Sequence, residues 1–252
     1  MALGGLGLFC LEAGSGTALL LLFFPTQTLG KGFFALHGAL SCAFFLFAAL
    51  AKPPGLPTAA AAAATALAGL YTLAAHADRA RASRPLLAAS AVAGIWCLAR
   101  VALVAPRGTG DAWIVAGAFL GGLLFGAVLL IMNLGHWYLV SRSLPFRLLA
   151  RGAVLFALLA VLRTLLLAAA IVADPSRDGL AALLSLEREA LFFLFRVTWG
   201  ILGPLALSYF IWKTAHMRSN QAATGLLYVA LVFVLIGELL SSYLTVATGF
   251  PA

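Results

Sequence analysis

Charge is nearly absent from eight stretches of this chain, near residues 3–24, 33–51, 58–77, 85–105, 112–140, 148–173, 190–212 and 223–248. An α-helix rises about 1.5 Å per residue, so roughly twenty apolar residues cross the ~30 Å hydrocarbon core of a bilayer. Backbone at that depth satisfies its hydrogen bonds only as a helix or a closed barrel, and uninterrupted runs of this length select the helix. The runs are separated by proline, glycine and charge: "KPPGLP" follows the second, "RASRP" precedes the fourth, and "PRGTGD", "SRSLPFR" and "DPSRDG" follow the fourth, fifth and sixth. The fold class predicted is all-α, a polytopic transmembrane helix bundle of eight spans in one integral membrane domain over 1–252, with no soluble domain.

Composition enters to exclude the alternative of a large soluble helical protein. Of the 252 residues 63% are hydrophobic and 10% charged, with a mean hydropathy of +1.07. A soluble domain carries roughly 25% charged residues, which it needs on its outer faces. The net charge of +8 is spread over the connections between runs and forms no continuous basic patch, so it reads as topology and not as nucleic-acid binding. The partners implied are the lipid bilayer and, within it, a membrane-protein partner or a second copy of the chain. Cys10, Cys42 and Cys97 all fall within spans without a CxxC pair, and they read as small apolar residues with no metal or redox role. The start, "MALGGLGLFCLEAGSG", lacks a basic stretch and carries Glu12, so it is taken as a retained span.

Lysine and arginine are unequally shared between alternate connections. The first, third, fifth and seventh hold Lys31, Arg79, Arg81, Arg84, Arg142, Arg147, Lys213 and Arg218, against Lys52, Arg107, Arg177 and Arg188 in the others. The richer set is assigned to the cytoplasm, which places both termini on the periplasmic side of a bacterial inner membrane. That assignment depends on the third segment crossing. Its "PTAAAAAATALAGLYTLAAHA" is weakly lipophilic and fits the middle of a bundle, where small side chains permit close approach. The stretch "LAALLSLEREALFF" has the composition of an interfacial helix leading into the seventh span, with Glu187, Arg188 and Glu189 at the water boundary.

Ionisable residues inside the runs fall into two layers. Counted from the outer ends, Arg100 and Arg196 lie roughly 8–9 Å deep and Glu12, Arg163 and Glu238 roughly 13–15 Å deep. A lone charge at such depth costs several kcal/mol, so these five residues are expected to face inward, against one another or a wet cavity. Glu238, Ser241, Ser242 and Thr245 recur at helical spacing as one polar stripe, and Arg196 shares a face with Gly200 and Gly203. Pro204 should kink the seventh span and free a carbonyl below Arg196. Nearer the other end, His37 and His136 share a level, and Asn133 and His136 share a face with the close-packing pair Gly122 and Gly126.

These layers admit three function classes. Two histidines at one depth beside glycines could ligate a haem b or hydrogen-bond a quinone, with Asn133 assisting, in a membrane electron-transfer component. The alternative is a transporter of a small anionic solute, in which Arg100, Arg163 and Arg196 bind the anion while Glu12 and Glu238 couple or gate. The third is a non-catalytic membrane assembly subunit. Phosphate-binding glycine loops, GxSxG and HExxH are absent from the sequence.

Overall fold

The structure, a computed structural model, describes residues 2–104, 111–140, 144–145, 147–173, 184 and 187–252. These residues form helices α1 (Ala2–Leu21), α2 (Lys31–Ala51), α3 (Thr58–His76), α4 (Arg84–Ala102), α5 (Asp111–Val140), α6 (Arg147–Ala173), α7 (Glu187–Val197), a π-helical segment (Thr198–Leu202), α8 (Gly203–His216) and α9 (Asn220–Thr248). With α7, the π segment and α8 counted as one rod, eight helices are long and apolar enough to cross a membrane. "PRGTGD", "DPSRDG" and most of "SRSLPFR" lie almost wholly outside the described residues, as does much of the stretch read as an interfacial helix. From Glu187 onward that stretch is continuous with the seventh span.

Helix ends follow from local chemistry. Lys52 takes a left-handed conformation (φ 46°) and its N–H closes on Ala48 O, after which Pro53 and Pro54 cannot continue the helix. Pro85 occupies the first turn of α4, where its missing N–H costs nothing. Gly249 (φ 73°) caps α9, its N–H reaching Thr245 O at 2.9 Å, and turns Phe250, Pro251 and Ala252 back into the bundle, where all three are buried.

The centre of the bundle is α1 against α5, each with 72% of its central stretch buried, whereas no other span exceeds 44%. Glycine permits this contact. A Cβ on Gly122 would stand 2.5 Å from Glu12 O, and one on Gly126 2.6 Å from the Gly16 carbonyl carbon, so the two backbones touch where any side chain would separate them. Around this pair, α2 and α4 flank α1, α6 flanks α5, and α9 packs on both. The alanine-rich α3 is not in the middle, contrary to the expectation from its composition. It lies at the edge with only 28% of its span buried, packed on α2 and α4. Ala61, Ala64, Ala68, Tyr71 and Ala75 form its inner stripe, while Leu70 and Leu73 face outward. Alanine therefore supplies one flat face for close packing, and a few leucines supply the contact with lipid.

Candidate functional site

Four helices deliver four ionisable side chains to one place. Glu12 comes from α1, Arg163 from α6, Arg196 from α7 and Glu238 from α9, and none is more than 3% exposed. Glu238 is the hub. Its Oε1 accepts from Arg196 Nη2 at 2.9 Å and from Arg163 Nε at 3.4 Å, and its Oε2 accepts from Arg163 Nη2 at 3.2 Å. Arg163 Nη2 also donates to Ser241 Oγ and to Ala252 O, each at 2.7 Å, which ties the folded-back Phe250–Ala252 segment to the layer. Ser241 Oγ also donates to Ala252 O.

Glu12 is placed differently. It takes no arginine within salt-bridge distance among the described residues; its Oε2 accepts from Ser242 Oγ at 3.0 Å. The two carboxyl groups meet at Gly121, where a Cβ would stand 2.5 Å from Glu238 Oε2 and 3.5 Å from Glu12 Oε2. A side chain at this position would displace a carboxylate, so Gly121 makes the space in which the acids converge. Two guanidinium nitrogens, Arg163 Nη1 and Arg196 Nε, are buried without a hydrogen-bond partner among the described residues. Orphan donors of this kind are costly in a low-dielectric interior unless a further group engages them.

The seventh span is broken at the same level. Pro204 has no N–H to give to the carbonyl four residues back, Gly200 O, and Arg196 Nη1 donates to that oxygen at 3.0 Å. Between them Thr198–Leu202 winds as a π-helix, a form found mostly as single turns at functional sites. Gly200 meets Gly237 of α9 so closely that a Cβ on the former would be 2.6 Å from the latter's Cα. The proline thus supplies an acceptor to the arginine, and the glycine pair lets the arginine's helix reach Glu238.

Of the five residues expected in this layer, the structure brings together Glu12, Arg163, Arg196 and Glu238 and leaves out Arg100. Arg100 is exposed, and α4 ends at Ala102, only two residues beyond it. Its side chain therefore reaches the interface, where a long basic stem lies on apolar surface with its head in water. Without Arg100 the layer balances two acids against two arginines, where the five residues expected from sequence would have carried one positive charge in excess. Sequence reasoning missed Gly121, Gly237 and the Phe250–Ala252 turn; a glycine in an apolar run carries no mark of what it faces.

The histidine layer separates. His37 is fully buried, its Nδ1 donating to Phe33 O at 2.7 Å and its Nε2 accepting from Asn133 Nδ2 at 3.1 Å, with the Phe33 ring centred 4.3 Å away. Both ring nitrogens thus have partners within the protein, Nδ1–H toward the Phe33 carbonyl and the Nε2 lone pair toward the Asn133 amide. His136 is exposed and faces Tyr228, whose hydroxyl lies 3.5 Å from its Nδ1. The structure therefore gives the two histidines separate partners and different burial, and does not bring them together as a pair. Asn133 and His136 are about 60° apart around α5, and the bundle edge falls between them. Comparison with protein-family models, with curated proteins and with solved structures finds no match, so the functional reading rests on this chain's own residues.

Proposed function

We propose that this multi-pass membrane protein is a carrier in which a proton on Glu12 and a small anion on Arg163 and Arg196 are taken up together. The observation that supports this reading is the unequal sharing of the layer. Glu238 engages both arginines, Glu12 engages neither, and one donor nitrogen on each guanidinium is left over. With both acids ionised the four residues sum to zero charge. A proton on Glu12 makes the sum +1, which an anion on the spare guanidinium donors restores to zero. Each ligand therefore favours the other by the same factor, as linkage requires. The break in the seventh span beside the site is the kind of discontinuity from which carriers build midplane sites. The buried, internally satisfied His37 gives the electron-transfer reading no comparable support.

The test is flux in proteoliposomes with a lumenal pH dye, run over phosphate, sulfate and small mono- and dicarboxylates. An inward gradient of a carried anion should acidify the lumen in the wild-type protein. Glu12→Gln, which keeps an acceptor for Ser242 and removes the proton, should still exchange the anion but without moving protons. A folded wild-type protein that moves none of these anions, or a Glu12→Gln variant that remains proton-coupled, overturns the proposal.

A further inference from the structure

A second basic site lies at one end of the bundle, well away from the charged layer and independent of it. Arg147 and Arg151 stand one turn apart on the first part of α6, and His216 closes α8 beside them. Together with Ala150 and Val154 they line a cavity of about 320 Å³. Among the described residues neither arginine has an acid within salt-bridge distance, and both are exposed. His216 Nδ1 faces Trp212 O at 3.0 Å, which turns Nε2 toward other partners. Arg151 also borders a second cavity of about 550 Å³, walled by Leu20, Phe24, Leu148 and Leu155. A basic cradle at a helix end thus adjoins an apolar groove, with one arginine common to both.

We propose that Arg147, Arg151 and His216 bind the phosphate of an anionic phospholipid, one of whose acyl chains lies in the groove beyond Arg151. The level is right for a headgroup, because Arg147 is the first residue of its span and His216 the last of its own. The charge is right for an anionic lipid, since two unpaired guanidinium forks match phosphate oxygens and basic recesses between spans recruit such headgroups. The apolar groove is what separates a lipid from a free anion: inorganic phosphate has no use for it.

The experiment uses the full chain in nanodiscs of phosphatidylcholine doped with phosphatidylglycerol, read by native mass spectrometry for lipid that survives ejection. Wild-type protein should retain phosphatidylglycerol over phosphatidylcholine, and Arg147→Gln with Arg151→Gln should cut that preference about tenfold or more. Both side chains are exposed, and the double variant is accepted only with a monodisperse profile and a wild-type helical spectrum; Arg151→Lys, which keeps the charge but loses the fork, serves as the second variant and should give an intermediate loss. Equal retention of the two lipids by the wild-type protein, or an undiminished preference in the double variant, overturns the proposal. A parallel arm titrates inorganic phosphate into phosphatidylcholine nanodiscs and follows thermal stability. Stabilisation there that phosphatidylglycerol does not reproduce would assign the cradle to a soluble anion and overturn the lipid.

Discussion

Single side chains carry most of the chemistry, and their worth depends on what remains when one is removed. Glu238→Leu leaves Arg163 and Arg196 buried with no acid in contact and should cost about 3–5 kcal/mol of stability. Glu238→Leu with Arg163→Met removes one contacting pair but still leaves Arg196 without its acid, so it should recover only the part of the loss that comes from stranding Arg163. Thermal unfolding in detergent compares the two. Recovery of stability together with anion flux would reduce the layer to scaffolding; recovery of stability alone is the expected result. At this scale the sequence was legible for Glu12, Arg163 and Glu238, each near the middle of a long apolar run, and for Arg196, which shares a helix face with Gly200 and Gly203. Arg100 and His136 were misread for one reason: depth and facing were inferred from run boundaries and spacing. A helix that ends three residues early, or a bundle edge 60° away, moves a side chain from interior to surface.

Helix breaks and crossings form the next scale. In the rod made by α7, the π segment and α8, Pro204→Ala supplies the missing N–H and sets it in competition with Arg196 for Gly200 O. A proline in a helix interior costs roughly 3 kcal/mol, but here the freed carbonyl already has a donor. The expected gain in stability is therefore well below that figure, and it should come with weaker flux; calorimetry and the proteoliposome assay check the two parts. Gly200→Leu should be far worse, since even a Cβ lies 2.6 Å from Gly237 Cα and the helices must part. The apolar runs located the spans to within about four residues at each end, and Pro204 pointed to a freed carbonyl. The π turn could not be read, because it arises from a tertiary demand: the arginine must reach α9 while Gly200 and Gly237 touch.

For the whole molecule, eight helices are long and apolar enough to cross a membrane, and the excess of lysine and arginine in alternate connections carries the prediction that residues 2 and 252 lie on the external side. Reporter fusions near residue 82 and after residue 252 should give cytoplasmic and external signals respectively; two signals on one side would remove a span from the count. The arrangement around α1 has a further consequence, for biogenesis. Glu12 and the serine that holds it, Ser242, are 230 residues apart in the chain. At a synthesis rate of about 5–20 residues per second, the α1 segment waits roughly 10–50 s in the membrane with its carboxyl group unsupported before the partner helix emerges. A half-made chain is thus marked by an unpaired acid in lipid. Nascent chains stalled before α9 should be short-lived, cleared by membrane proteolysis faster than chains that include α9.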